Sequence, residues 1–378
     1  MRKYMTCKSG PFYFSERYNE EILSLPLLVA TMLNQTVADL PILPRKVSQL
    51  ETELIRQSIF GTAAIEGNPL SQEDVVGIIE NDQVADVMPK SEMEIRNLVK
   101  AYELLSNIKP TGGPFILEES LITELHRIVT AGIRYDFNEP GRYRNETVGY
   151  TEVGDKAHGG VYRPPRILKD IKDLMGEYVE WVNSEELISK GPFVRAILAH
   201  YHFALIHPFF DGNGRTARLI EAILLQAANV RYVPKMLSNY YYRNIDGYYS
   251  AFSQTIKLKG KDVTPFLRFA VEGVTESLLD IKDRITDLIK KLVFREHLAQ
   301  LKAQREITVR QFDLLSLLLD DIRVFSLNDL MEERPFSLLY RKVTKQTARR
   351  DVKGLLELGL IVKAGESRYS LNLDGLKA

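Results

Sequence analysis

The sequence predicts a mainly α-helical protein of more than one domain. Its 378 residues exceed what a single small core holds, apolar residues recur at helical spacing through most of the chain, and turn-rich stretches are few. Residues 49–65 form the first clear helical pattern and meet Gly67 at their end. Segments 92–107, 118–130, 167–183, 191–206 and 215–229 follow, several bounded by Pro or Gly. Residues 142–165 interrupt the pattern. They are rich in Gly, Val, Tyr and Thr, with turn signals at Gly154-Asp155 and Gly159-Gly160, and predict a β-hairpin. A long charged helix is expected over 276–305 as a connector. Beyond it, helices over 309–320, 326–333 and 344–358 and strands over 360–364 and 369–373 give the layout of a small winged helix-turn-helix domain. The expected division is 1–110, an N-terminal helical region; 111–275, a core; 276–305, the connector; and 306–378, the C-terminal domain.

Composition narrows the function classes. Acidic and basic residues balance at 50 each, which argues against a chain-wide polyanion binder and leaves room for a local basic patch. The single Cys7 excludes an internal disulfide framework and a multi-cysteine zinc site. The apolar run 23–33 contains Pro26 and reads as broken and too short to span a bilayer. With no apolar leader-like segment, the expectation is a soluble, cytoplasmic protein without a membrane partner.

The chemistry concentrates in one loop. Pro192 opens a helix that should stop before Pro208, because the residue before a proline is pushed out of the right-handed α region. His207 therefore stands at its exit. Asp211-Gly212-Asn213-Gly214 reads as a tight turn whose two glycines and Asn supply positive-φ positions, turning backbone N–H groups toward an anion. Arg215 and Arg218 follow in the first turn of the next helix, where a cation opposes the helix dipole by roughly 0.3–1 kcal/mol unless an anion is bound. His200 and His202 invite a zinc reading with His207. However, residues two apart point to different faces of a helix, and His200 and His207 lie about 10 Å apart along the axis, so packing roles fit better.

His207 to Arg218, read as His-Pro-Phe-Phe-Asp-Gly-Asn-Gly-Arg-Thr-Ala-Arg, matches the signature of the Fic family at every defining position. A weaker resemblance extends over roughly residues 45–275, including Gly141-Arg142-Tyr143-Arg144 and Tyr162-Arg163-Pro164-Pro165. The resemblance implies a Fic-type helical core with a hairpin flap over 145–163 that pairs with a target segment. It further implies transfer of AMP from ATP with Mg²⁺ onto Ser, Thr or Tyr hydroxyls of target proteins. His207 would be the general base and Asp211 the metal ligand. Gly212, Asn213 and Gly214 would cradle the α- and β-phosphates, while Arg215 would take the β- and Arg218 the γ-phosphate. Asn244, Tyr248 and Tyr249 would line the adenosine pocket. The branch of the family that phosphorylates its targets carries lysine where this chain has Gly214, which favours adenylyl transfer.

Thr62-Ala63-Ala64-Ile65-Glu66-Gly67 resembles the family's inhibitory motif. Glu66 at a helix C-terminus and Arg218 at a helix N-terminus each oppose their own dipole, so one ion pair would satisfy both and take Arg218 away from the γ-phosphate. In related proteins the equivalent Glu also helps remove AMP. In the C-terminal domain, residues 341–353 hold six basic residues against one acid, Asp351. This composition suits a recognition helix on DNA, or equally a dimer- or protein-binding module. The alternative to an enzyme is a nucleotide-sensing DNA-binding regulator.

Overall fold

The structure is a computed structural model that describes residues 1–81, 88–110, 112–133, 137–146, 151–154, 157–321 and 323–374. The chain divides into two compact units, 1–281 and 282–378. The first opens with an antiparallel strand pair, β1 (Arg2–Met5) and β2 (Pro11–Phe14), in the register Arg2↔Phe14. Asp170 holds its turn by accepting the N–H groups of Cys7, Lys8 and Ser9 at 2.7, 3.1 and 2.8 Å.

Helix α1 (Glu20–Ala38) starts at Asn19, whose side chain accepts from the Ile22 N–H, and it runs straight through Pro26. The expected break at Pro26 is therefore corrected: the proline removes one hydrogen-bond donor, but the turns on either side continue. At 19 residues α1 is long and apolar enough to cross a membrane by length and composition, with 17% of its apolar window buried.

Helix α2 (Pro44–Ile65) begins with a first-turn proline and ends at Glu66 and Gly67, where φ of +83° closes the helix. Then follow α3 (Gln72–Glu80), α4 (Lys90–Asn107), α5 (Glu119–Thr130), α6 (Leu168–Val182), α7 (Glu185–Ile188), α8 (Pro192–Ile206), α9 (Asn213–Ala227), α10 (Leu237–Arg243), α11 (Ile245–Lys257) and α12 (Thr264–Ala303). Helix α8 is buried from Phe193 to Ile206 without a break, and α9 nearly so. Such all-round burial marks the central layer of a helical protein. Each large apolar side chain placed there contributes ~1.5–3 kcal/mol. Helices α2, α4, α5 and α6 pack around this pair, so residues 1–110 and the core form one unit and the expected boundary near 110 is absent. The loop from 207 to 212 is thus anchored at both ends by the most buried helices.

The flap differs from a regular hairpin. Among the described residues it has one antiparallel bridge, Val153↔Tyr162, with reciprocal bonds of 2.9 and 2.8 Å. Gly154, Gly159 and Gly160 at φ of +87°, +104° and +111° interrupt the extended backbone there. Parts of the predicted hairpin, residues 147–150 and 155–156, lie outside the described residues.

The second unit takes the last part of α12, then α13 (Val309–Asp320), β3 (Phe325–Ser326), α14 (Leu327–Glu332), α15 (Phe336–Tyr340), α16 (Lys345–Glu357), β4 (Ile361–Lys363) and β5 (Arg368–Leu371). The strands form an antiparallel sheet in the order β3-β5-β4. Two elements, α15 and β3, are additional to the predicted layout. The connector expectation is also corrected. Phe294, Leu298 and Leu301 of α12 are buried in the same core as Leu314, Leu318 and Leu355, so this stretch is part of the unit, and its border falls at 281/282.

Candidate active site

The loop is built by a chain of backbone clamps. Pro208 denies His207 the right-handed α region, and His207 takes φ 50°, ψ 58° as the cap of α8, its N–H still bonded to the Phe203 carbonyl at 2.9 Å. The buried Arg144 clamps the residues that follow. Its Nε donates to the His207 carbonyl at 2.6 Å, its backbone N–H donates to the Pro208 carbonyl at 2.9 Å, and its Nη2 donates to the Pro165 carbonyl. Both ends of the flap are thereby tied to the loop. Phe209 is fully buried and stacks in parallel on His126 at 3.6 Å. The Asn213 amide grips the Phe209 backbone twice, accepting from its N–H at 3.0 Å and donating to its carbonyl at 2.8 Å.

His126 completes the frame. Its Nδ1 accepts the Gly141 N–H at 2.9 Å, so Nε2 carries the proton and donates to the Asp211 carbonyl at 2.9 Å. Burial pushes its pKa down to about 4, despite the raising effect of that bond, and keeps the ring neutral. Gly212 has φ 77°, and a Cβ there would stand 2.8 Å from Thr130 Cγ2.

The anion-binding reading changes in detail. Gly212 is left-handed, but Asn213 and Gly214 already belong to right-handed α9, so the predicted run of positive-φ residues does not form. The first hydrogen bond of α9 is made by Thr216 N–H to Gly212. The N–H groups of Asn213, Gly214 and Arg215 therefore lie in the unbonded first turn, where helices bind anions. The Asn213 side chain is committed to Phe209, leaving only its backbone for a phosphate.

The two arginines are fully buried and already engaged. Arg215 Nη2 donates to Asp211 Oδ1 at 3.0 Å, and its Nη1 lies 3.6 Å from Glu94 Oε1. Arg218 Nη2 donates to Glu66 Oε1 at 2.7 Å and to the Thr62 carbonyl at 3.2 Å. The ion pair expected from the two helix ends is present, with Arg218 2% and the Glu66 side chain 27% exposed. Desolvation would raise the Glu66 pKa, but Arg218 and Arg215 outweigh it and hold the carboxyl ionised. A Cβ built on Gly214 would lie 2.2 Å from Glu66 Oε1 and 3.1 Å from Arg218 Nη1. The bare Gly214 is thus what lets the Glu66 carboxylate lie across the start of α9.

Glu66, His207, Gly214, Arg218, Tyr248 and Tyr249 line one cavity of about 230 Å³, and the flap residues Glu152, Val153, Gly154 and Gly160 border it. Desolvation and the Arg144 guanidinium lower the His207 pKa to about 4, against the opposing pull of Glu66 and Glu146. At neutral pH this imidazole is unprotonated, and it borders the cavity. Asn244 is not part of this wall. It separates α10 from α11, and its side chain donates to the Tyr240 carbonyl at 3.1 Å. Tyr248 is set by a buried chain: its hydroxyl meets His200 Nε2 at 2.9 Å, His200 Nδ1 meets Glu221 Oε2 at 3.1 Å, and Glu221 Oε1 accepts from Tyr241 at 2.9 Å. His202 belongs elsewhere, against the backbone of Ser15. Among the described residues no group of three His, Cys, Asp or Glu side chains is placed to hold a metal ion.

Sequence reasoning missed three residues of this frame: His126, Arg144 and Glu94. His126 falls at helical spacing among the buried Ile122, Leu125 and Val129 of α5 and so reads as core. Arg144 and Glu94 act through partners 63 and 121 residues away, which no local pattern displays.

Residues 116–225 match the profile of the Fic/DOC family. Among curated proteins, the chain is 30% identical over 236 residues to "Protein adenylyltransferase Fic" of Culex quinquefasciatus, covering 62% of this chain and 43% of that protein. It is 31% identical over 229 residues to the protein of that name in Drosophila ananassae, covering 60% and 41%. The chain thus spans less than half the length of these relatives. Among solved structures, a Fic family protein from Desulfovibrio desulfuricans G20 superposes with a TM-score of 0.58 at 21% identity, covering 95% of this chain and 98% of that one. Fic-1 of C. elegans gives 0.57 at 23% identity, covering 70% and 73%. Residues 116–225, which carry His207 and the loop behind it, therefore form a Fic/DOC family domain.

Proposed function

We propose that this chain transfers AMP from Mg·ATP to Ser, Thr or Tyr hydroxyls of target proteins, and that Glu66 restrains it. The observation that carries this reading is one cavity shared by a neutral His207, the start of α9 and the cation Arg218. The triphosphate would lie along the first turn of α9, with Arg215 and Arg218 on the β- and γ-phosphates. Tyr248 and Tyr249 offer aromatic walls to the adenine. The target oxygen attacks the α-phosphorus, its proton passes to His207, the bond from the α-phosphorus to the bridging oxygen breaks, and pyrophosphate leaves. Held in line, these groups act by position and by fixed charge. Asp211, at the edge of the loop with its side chain 34% exposed, suits Mg²⁺, an ion bound through one or two carboxylates plus substrate phosphates. Bound there, the ion would offset charge on the leaving pyrophosphate.

Glu66 supports the restraint by occupying Arg218. Incubation with α-labelled ATP and Mg²⁺ tests both parts: label on protein, self-modification included, is expected with Glu66→Gly and absent with Glu66→Gly/His207→Ala. Equal labelling in both would exclude His207 as the base. A second reading, a nucleotide-sensing DNA-binding regulator, is favoured by the cationic face of α16; label in none of the chains, with duplex binding intact, would select it.

A further inference from the structure

We propose that the outer face of α16, together with the β4–β5 turn, is a binding site for double-stranded DNA. Ala348, Asp351, Val352 and Leu355 turn one side of α16 into the core of the second unit. At 100° per residue the opposite side is then centred on Gln346, Arg350, Lys353 and Glu357, with Arg349 to one side and Lys345 at the start of the helix, and all six are exposed. Arg341 and Lys342 precede the helix and are exposed as well.

Within residues 341–353 the single acid does not reach this face, and Glu357, one turn beyond Lys353, is the acid of α16 that does. Asp351 is 6% exposed and is gripped by the half-buried Arg310, through Nε at 2.7 Å and Nη2 at 3.2 Å. A carboxylate that could have neutralised the face is turned inward and neutralised there. Lys353 meets Glu357 at 3.6 Å near the far end of the helix, and Lys345 donates to Asn328 at 2.6 Å, which aims it along the start of α16. Lys363 and Arg368, both exposed, flank the turn between β4 and β5, with Gly365 at φ 123°. Cations therefore stand on the helix, before it and on the adjoining turn, outnumbering the exposed acids Glu357 and Glu366.

The occupant follows from shape and chemistry. Thirteen residues make a rod of about 20 Å, which the B-DNA major groove, about 12 Å wide, admits. Gln346 and Arg350, one turn apart in the first half of the helix, are side chains that bind adenine and guanine edges bidentately, while the remaining cations meet phosphates. The major groove of duplex RNA is too deep and narrow for a helix. Single strands are held by stacked aromatic rings, and Gln346, Arg349, Arg350 and Lys353 offer none.

The site is independent of the transfer reaction, so the labelling experiment and the following one fail separately. Full-length chain is titrated into a fluorescent mixed-sequence DNA duplex of ~30 base pairs, read by anisotropy between 50 and 200 mM salt. Saturable binding is expected, weakening about 10³-fold across that range for five or six neutralised phosphates. Arg350→Glu/Lys353→Glu should lower affinity at least tenfold and flatten the salt slope by about 2, and Arg350→Gln should fall between. Arg268→Glu, on the exposed side of α12, should bind as the wild type does. Unchanged unfolding midpoints in all four chains show that the fold is kept. Absence of saturable binding at 50 mM salt overturns the proposal, as does wild-type binding by the double variant, or equal affinity for duplex RNA or single strands.

Discussion

Replacing Gly214 by alanine should release Glu66 while every charged side chain of the site is kept. The added methyl would stand 2.2 Å from Glu66 Oε1, a separation no carbon and oxygen tolerate, so the carboxylate must shift, and its bond to Arg218 is expected to break. The backbone at 214 is right-handed helix, where alanine is favoured over glycine by ~0.5–1 kcal/mol, so the fold should hold. What the methyl breaks is one charge-assisted bond of 2.7 Å between Glu66 and Arg218. A buried bond of that kind is worth ~1.5–3 kcal/mol, and with the Glu66 side chain 27% exposed we reduce this to ~1–2 kcal/mol. At 1.4 kcal/mol per decade, the freed Arg218 should raise ATP affinity about 5- to 30-fold. AMP affinity should stay put, because AMP has no γ-phosphate to compete with Glu66. Calorimetric titration with Mg·ATP and with AMP measures both, and Glu66→Gly/Gly214→Ala compared with Glu66→Gly isolates any crowding of the phosphates by the methyl. If Gly214→Ala binds ATP as weakly as the wild type while Glu66→Gly binds it tightly, the steric coupling is wrong.

Acid should weaken the fold through its histidines. His126, His202 and His207 have folded pKa values of about 4, against about 6.5 unfolded, so between those limits only the unfolded chain takes up their protons. Their contribution is fully present above about pH 6.5 and lost as pH falls toward 4, at up to ~1.4 kcal/mol per unit for each ring. Urea midpoints against pH should show it, with a shallower slope in His202→Gln. In Glu66→Gly, the acid limb of kcat/KM should fall well below pH 6.5, since burial and Arg144 still hold His207 neutral; a limb at 6.5 would mean the base is another group. Asn213→Ala should destabilise the fold by ~1–3 kcal/mol, because both backbone bonds to the buried Phe209 are removed, and urea unfolding of the variant checks it.

The helices α8 and α9 were legible because periodicity, a first-turn proline and the Pro208 stop agree on the same limits. The Glu66–Arg218 pair could be read from two helix ends that each carry the wrong sign of charge. Other features had no local signal. The β1–β2 pair consists of four-residue strands whose turn is fixed by Asp170, more than 160 residues away. Pro26 looked like a helix break because a proline shows its missing donor in the sequence but not the neighbouring turns that tolerate it. The turn after Asp211 departs from its sequence pattern for a related reason. Gly214 signals conformational freedom, yet its backbone is ordinary helix, and its lack of a side chain serves the Glu66 carboxylate instead.

The loop and its occupant are held by bonds of very different strength, and that difference is what would let the site switch. His207 to Asn213 is clamped from several sides: Arg144 on the backbone of 207 and 208, Asn213 on both groups of Phe209, and His126 on Asp211, and all three clamping side chains are buried. Moving that loop would strand several buried polar groups at ~1–3 kcal/mol each. Glu66 lies at a helix end next to a glycine, partly in water, and its one bond to Arg218 can be exchanged for a phosphate oxygen that the same guanidinium binds at least as well. An anion arriving at α9 therefore competes with the weakest link of the site and leaves the geometry around His207 as it was. Release of Glu66 requires only a local change at the end of α2, so no rearrangement of the helical core need accompany it.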